Sequence, residues 1–204
     1  MAILYFGKCI KIQESAFGPN HPTLATTYSN IGNLCSKIGK YKEAIQFLFK
    51  CIHIQENAFG PDNPTLAASI SNVGVLLDKI GKPDTALELY QRSKDIHESA
   101  FGKDHPDMAN LYHNMAVANV NLKRHQEALD LYEKCRTIQE SVFGSNHPSL
   151  VNTYNSIISV LEHLGQDEEA TKLRQKVTKV QKSEKEVAQE SNILCNPIIF
   201  DQCM

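Results

Sequence analysis

Apolar residues recur along this chain at the spacing of helices that bury one face. From Leu24 they fall at steps of four, three and four residues as far as Cys35, and the same pattern starts again at Leu66. These steps keep the side chains on one side of an α-helix. Each run begins at a proline, which suits the first helical position because its missing N–H would be unpaired there anyway. The pattern predicts amphipathic helices beginning at Pro22, Pro64, Pro106 and Pro148.

A second amphipathic helix follows each of these, and the whole pattern returns every 42 residues. The dipeptide Phe-Gly stands at 17–18, 59–60, 101–102 and 143–144. A turn at Ile38–Gly39–Lys40 separates the two helices of the first complete unit, and glycine there suits a left-handed helix end. A fixed period of two helices predicts a repeat array, because one hairpin cannot bury its apolar face without neighbours.

Small residues occupy matching places on the two helices of each unit. An alanine recurs on the second helices at Ala2, Ala44, Ala86, Ala128 and Ala170. On the first helices the matching positions are Gly32, Gly74 and Ala116, with Ile158 in the last copy. Larger side chains would hold the helices apart. We therefore expect the two helices of a hairpin to cross closely at these columns.

The period divides the chain into one array and a short extension. Residues 1–183 form the array, with a partial repeat at 1–16 and complete hairpins at 22–58, 64–100, 106–142 and 148–183. Residues 184–204 are expected to be a charged helical extension followed by a loosely ordered tail. The partial repeat is a lone second helix with an uncovered apolar face. Either the chain is a fragment of a longer array, or a partner or a second copy covers that face.

Charge and cysteine usage exclude several classes of protein. The net charge is −2, so no excess of basic residues indicates nucleic acid or an anionic membrane surface. No run approaches the roughly 18 apolar residues of a membrane span. Cys9, Cys51 and Cys135 share one repeat column with Ser93 and Val177, which indicates packing rather than disulfides. We expect reduced thiols and a cytoplasmic location.

No catalytic constellation is visible in the sequence. GxSxG, HExxH, P-loop and GxGxxG motifs are absent, so we expect neither enzymatic activity nor a cofactor. His21, His105 and His147 each precede the proline of a first helix. They would either help cap that helix or bind metal, but successive copies lie about 20 Å apart, too far to share one ion. The capping role is predicted, and no metal site.

The segment ATTYSNIGNLCSKIGKYKEAIQFLFKCIHI at 25–54 resembles the tetratricopeptide consensus. The eight additional residues per unit and the FGPNHP-type loop resemble the kinesin light chain subclass. The resemblance covers residues 1 to about 183 and implies an all-α fold, a right-handed superhelical solenoid of stacked antiparallel hairpins. No heptad region precedes the repeats, so we do not expect the motor subunit itself.

The resemblance also implies a concave groove lined by the first helices. An asparagine recurs there at Asn30, Asn72 and Asn114, followed by Asn155 in the last copy. An amide can pair with both the C=O and the N–H of a bound peptide backbone, or it can tie adjacent helices together, and its chemistry serves either role. Groove binding is the favoured interpretation. The same register adds Asn33, Lys37, Ser71, Lys79, Asn110, His113 and Asn152.

The predicted function is a scaffold that binds a partner peptide or helix in this groove. The alternative is a fragment of a larger signalling or sensor protein, in which the repeats act as a spacer or a self-association module. End-to-end association would use the uncovered N-terminal helix. Kinesin light chains favour acidic peptides, but basic groove residues are sparse here, so that specificity is not expected.

Two polar features lie outside the groove. A basic column is predicted to be a solvated outer ridge, with Arg92 paired to Glu88 four residues earlier: Lys8, Lys50, Arg92, Lys134 and Lys176. Asn119 interrupts an otherwise apolar helix face. If buried, it needs a hydrogen-bond partner; a local bond or a bend in the array are the alternatives.

Overall fold

The computed structural model describes the backbone of residues 2–194 and the side chains of residues 5–182. Within that part the chain forms nine α-helices and one short 3-10 turn, with no strand. The helices are α1 (Ala2–Phe17), α2 (Pro22–Lys37), α3 (Tyr41–Phe59), α4 (Pro64–Lys79), α5 (Pro83–Phe101), α6 (Asp107–Asn121), α7 (His125–Phe143), α8 (Val151–His163) and α9 (Asp167–Leu194). The all-α prediction is confirmed.

The helices pair as antiparallel hairpins that stack in chain order. Helix α2 packs with α3, α4 with α5, α6 with α7 and α8 with α9, and each hairpin contacts the next through its neighbouring helices. Helix α1 packs mainly on α2, as a second helix without a first. Direct contact between α4 and α6 brings successive first helices together. This arrangement is the predicted solenoid.

The first helices begin close to the predicted prolines. Helices α2 and α4 start at Pro22 and Pro64, whereas Pro106 is the residue before α6 and Pro148 opens a 3-10 turn ahead of α8. The last helix continues to Leu194, past the predicted end of its hairpin at residue 183. Most of the predicted loose tail at 192–204, namely residues 195–204, lies outside the described residues.

Imidazole nitrogens cap the starts of these helices, as the sequence predicted. His21 Nδ1 accepts a hydrogen bond from the backbone N–H of Thr23 at 3.4 Å, and His147 Nδ1 accepts one from that of Ser149 at 3.2 Å. Asn63 does the same with its side-chain oxygen at 2.9 Å. A neutral imidazole thus replaces the usual Ser, Thr, Asp or Asn cap.

The turn inside each hairpin uses a left-handed residue. Gly39, Gly81 and Gly165 have φ angles between 71° and 78°, and Lys123 takes this conformation in the third copy at 59°. The following N–H bonds back to a carbonyl five residues earlier, as in Lys40 N to Cys35 O at 2.8 Å. This bond satisfies an orphan carbonyl of the first helix.

The core follows the predicted columns. Alanines 44, 86, 128 and 170 expose 0% of their surface. A Cβ added to Gly74 would lie 2.5 Å from Cε1 of Tyr90, so the close crossing of the helices is confirmed. Asn119 is buried and donates from Nδ2 to the Met115 carbonyl at 2.9 Å, which is the local bond that the sequence allowed.

The apolar face of α1 is uncovered in this structure. Ile12 exposes 68% of its surface, whereas Ile54, at the same repeat position on α3, exposes 3% because α2, the first helix of its hairpin, packs against it. Tyr5 on the same helix exposes 60%. The predicted end-to-end association rests on this face and stays a prediction.

The predicted outer ridge is exposed at Lys8, Lys50, Arg92 and Lys134 and half-buried at Lys176. Three of its lysines also pack on tyrosines that form the junctions between hairpins. Lys50, Lys134 and Lys176 lie over the rings of Tyr28, Tyr112 and Tyr154 at 5.3, 5.7 and 4.7 Å. The three tyrosine hydroxyls donate to glutamates of the preceding second helix: Glu14, Glu98 and Glu140.

The second hairpin shows a variant of this junction. Ile70 replaces the tyrosine, and Arg92 forms an ion pair with Glu56 on α3. The partner expected from the sequence was Glu88, four residues earlier on the same helix. Stacking brings the glutamate of the previous hairpin to the guanidinium instead.

Candidate functional site

The exposed sides of α2, α4, α6 and α8 form a surface that we call the first-helix face. The asparagine column lies on it, with Asn30 and Asn72 exposed and Asn114 half-buried. In the described part of the chain, none of these three amides forms a hydrogen bond with another residue. The column is therefore available to an outside partner.

A different asparagine ties adjacent first helices together. Asn121 on α6 donates from Nδ2 to Oδ1 of Asp78 on α4 at 3.4 Å, and the Tyr90 hydroxyl donates to Oδ2 at 3.4 Å. Burial raises the pKa of Asp78, and the two hydrogen bonds oppose that rise. The bridging role that the sequence left open for the Asn column thus falls to Asn121.

A pocket of about 310 Å³ opens between α4 and α6, with α5 beneath it. It brings together four predicted site residues: Ser71, Asn72, Asn110 and Asn114. Ser93 and His97 of α5 and Asp107 of α6 complete the polar lining. The pocket therefore presents amide donors and acceptors together with the carboxylate of Asp107.

A second pocket, of about 230 Å³, adjoins the first at the N-terminal end of α6. The two share Asp107 and Asn110. Gln139 adds a third polar group, and the other lining residues are apolar: Pro106, Ala109, Ile138, Val142 and Phe143. Val142 and Phe143 are exposed by 47% and 51%, so an apolar side chain of a ligand could cover them.

Asn155 lies in a third pocket, of about 320 Å³, rather than with the other asparagines. Strict 42-residue register places Ser156 in the asparagine column and Asn155 in the column of His113. The pocket also contains His125 and His163, whose rings stack with centroids 4.8 Å apart. The first-helix face therefore changes chemistry at its C-terminal end.

His113 is half-buried and packs edge-on against Tyr132, with ring centroids 5.3 Å apart. Burial lowers the pKa of His113. The neutral imidazole is therefore favoured, and this predicted site residue contributes no positive charge near neutral pH.

The remaining predicted residues lie on the same face outside these three pockets. Asn33, Lys37 and Asn152 are exposed. Lys79 is also exposed, but its Nζ lies 5.4 Å from the ring centroid of Tyr41 on the preceding hairpin. This cation–π contact gives Lys79 a structural partner.

Three lining residues escaped sequence reasoning: His97, Asp107 and Val142. Each departs from its own repeat column. His97 stands among glutamines 13, 55 and 139, Asp107 among Thr23, Thr65 and Ser149, and Val142 among alanines 16, 58 and 100. A search for exceptions within columns, rather than for constancy, would have found them.

Membrane-spanning helices and metal-binding clusters are both absent from the described residues. No helix in that part of the chain is long and apolar enough to cross a membrane. No cluster of three or more His, Cys, Asp or Glu side chains suitable for a metal ion occurs there either. Cys9, Cys35, Cys51 and Cys135 are free thiols.

Comparison with known families identifies the class of protein. A tetratricopeptide-repeat model matches residues 1–57 and 107–183, and a second tetratricopeptide-repeat model matches residues 66–107. The chain belongs to the tetratricopeptide repeat family. Among curated proteins, no significant match to the chain was found.

Solved structures with a similar fold include kinesin-light-chain-like repeat proteins. One is a variant of a kinesin-light-chain-type protein of Podosopora anserina with nearly identical TPR-like repeats, with a TM-score of 0.78, 23% identity and coverage of 91% of this chain and 87% of that one. Another is BtubC (BKLC) from P. vanneervenii, with a TM-score of 0.75, 17% identity and coverage of 81% and 66%. A third is the MamA protein, with a TM-score of 0.65, 21% identity and coverage of 91% of this chain and 84% of that one. These likenesses show the fold.

Proposed function

We propose that the first-helix face is a concave groove that binds an extended segment of a partner protein, and that the chain acts as a scaffold without catalysis. Tetratricopeptide repeats generally serve as protein-interaction scaffolds, and stacked repeats create extended concave surfaces. The observation that carries the proposal is that the Asn72 and Asn114 amides line one pocket and have no hydrogen-bond partner among the described residues.

The mode of binding follows from the amide group. Each side chain offers one carbonyl acceptor and two N–H donors. Asn72 and Asn114 would pair with backbone N–H and C=O groups of the bound segment, largely independently of its sequence. Main-chain hydrogen bonds then supply affinity, and the pockets between them supply specificity. The partner is a protein, since the near-neutral charge of the chain favours neither nucleic acid nor an anionic membrane.

The test is peptide capture by the purified chain. A library of random decapeptides with acetylated and amidated ends is selected on the immobilised protein, and the dissociation constants of the enriched peptides are measured. Asn72→Ala and Asn114→Ala together are expected to weaken every binder about tenfold or more, because each loses one or two hydrogen bonds.

Asn57→Ala is the matched control, because Asn57 is an exposed amide on the second helix α3. It is expected to leave all affinities unchanged. Circular dichroism melts check that the variants remain folded. Unchanged binding in the double variant would refute the groove mechanism.

A second candidate function, self-association or a structural spacer, is favoured by the exposure of Ile12 and Tyr5 on α1. Sedimentation equilibrium of the chain and of Ile12→Ser tests it. A dimer that Ile12→Ser dissociates would support self-association, and a monomer at all concentrations would exclude it. For either function we place the chain in the cytoplasm, since the described cysteines are free thiols, as a reducing compartment requires.

A further inference from the structure

The third hairpin departs from the other hairpins where the two pockets meet. Asp107 replaces the Thr or Ser of the other first helices, and Val142 replaces the Ala that precedes each other Phe-Gly pair. Asp107 lines both pockets, and Val142 lines the second. The other hairpins fold without these side chains, so stacking does not require them.

The second pocket combines a cluster of apolar side chains with the polar groups of Asp107, Asn110 and Gln139. Ala109 and Ile138 lie at its base, each only 5% exposed, and Val142 and Phe143 form a half-exposed rim. At about 230 Å³ it has room for one aliphatic or aromatic side chain. Removing such a side chain and the rim from water favours binding. Val142 enlarges this apolar surface relative to the alanine of the other copies.

The boundary between the pockets carries a negative charge. The Asp107 side chain is 64% exposed, and Nδ1 of His105 lies 3.6 Å from its carboxylate. The same Nδ1 accepts the Asp107 backbone N–H at 3.3 Å. A nitrogen that accepts a hydrogen bond carries no proton. In its capping role His105 therefore does not neutralise the carboxylate, which is left to attract a cation from a ligand.

We infer that the segment bound in the groove carries a Lys or Arg one or two residues from a bulky apolar residue, with the cation at Asp107 and the apolar side chain against Val142 and Phe143. This inference rests on the proposed groove function. It follows from the geometry because Asp107 and Asn110 belong to both pockets. Amides at Asn72 and Asn114 hold the backbone, and the third hairpin reads the side chains.

The peptide selection described above tests this inference with two further variants. Asp107→Thr and Val142→Ala each install the residue that other hairpins carry at that position, so both are expected to fold. Peptides selected on the unmodified chain should be enriched in a basic residue next to Leu, Ile, Met or Phe. Exchanging that basic residue for Glu should weaken binding about tenfold, because like charges would then meet at Asp107.

On Asp107→Thr the same exchange should change affinity less than about twofold. The variant lacks the carboxylate that attracts the basic residue and repels Glu, so the two peptides bind alike. On Val142→Ala, binding should fall for peptides with the apolar residue and stay unchanged for those with Ser there. Enrichment of other sequences, or an undiminished charge preference on Asp107→Thr, overturns the inference while the groove proposal stands. If Asn72→Ala and Asn114→Ala together leave peptide binding unchanged, or if no peptide binds at all, both the inference and the groove proposal are overturned.

Discussion

Lys176 on α9 donates a hydrogen bond from Nζ to Oε1 of Glu140 on α7 at 3.0 Å, across the boundary between two hairpins. The Tyr154 hydroxyl donates to the same oxygen at 2.9 Å. Burial tends to raise the pKa of Glu140, but the hydrogen bonds from Lys176 and Tyr154 and the nearby positive charges hold it below its usual value. The junction is therefore strongest with the carboxylate ionised.

Glu140→Gln is expected to lower the free energy of unfolding at pH 7 by about 1 kcal/mol, since a partly exposed charged junction is lost. Because the folded pKa of Glu140 lies below the unfolded value of about 4.5, its contribution is complete above that value and disappears as pH falls through the folded pKa. Urea unfolding at pH 7, 5 and 3 should show the difference between variant and parent shrinking in acid.

Glu88→Gln is the control, because the Glu88 carboxylate makes no ion pair among the described residues. It should change stability by less than about 0.5 kcal/mol. If Glu88→Gln were as destabilising as Glu140→Gln, general surface charge rather than the junction would be responsible.

His113→Ser is expected to make the fold less sensitive to mild acid. Burial lowers the folded pKa of His113 below its usual 6.5. The unfolded chain then takes up the proton more readily than the folded one. The contribution of His113 to the free energy of unfolding is therefore complete above pH 6.5 and is lost as pH falls through the folded pKa. Thermal unfolding at pH 7.5 and 5.5 should show a smaller fall in Tm for the variant.

Serine is the residue of the first two hairpins at the position of His113, so the substitution should be tolerated. His53→Ser serves as control, because His53 is exposed on α3. A pH dependence unchanged in His113→Ser but reduced in His53→Ser would contradict this assignment.

Lys123→Gly is expected to stabilise the chain by about 0.5–1 kcal/mol. Lys123 has a φ of 59° where the other three hairpins have glycine. A side chain in the left-handed region costs about 1–2 kcal/mol. Replacing it with glycine recovers only part of this, because glycine also gives the unfolded chain more conformational freedom. Urea unfolding measures the gain, and the reciprocal Gly81→Lys should lose a similar amount.

Gly74→Val is expected to destabilise the second hairpin by about 2–3 kcal/mol. The first added carbon would lie 2.5 Å from Cε1 of Tyr90, so α4 and α5 must separate. Gly7→Val on α1 is the control, because nothing lies within 4 Å of a Cβ at that position. Equal losses of unfolding free energy in the two variants would show that helix propensity, not the crossing, sets the cost.

The sequence was most informative where one residue type served one local need. Gly39 and Gly81 predicted the turns, and Ala44 and Ala86 predicted the close crossings, because backbone conformation and hard-sphere contact leave few other choices. Reasoning from constant columns failed for Arg92, which pairs with Glu56 on the previous hairpin. It also grouped Asn155 with Asn72, although the two lie in different pockets.

The sequence by itself determined the helical hairpins, their period and their buried columns, because each follows from spacing along a single helix or turn. Only the tertiary structure decided which side chains meet between hairpins. Contacts such as Glu140–Lys176, 36 residues apart, depend on the angle and offset at which one hairpin stacks on the next. The same stacking joins Asp107 to two pockets and leaves the Asn72 and Asn114 amides without a hydrogen bond to any residue that the structure describes. The proposed specificity depends on that geometry.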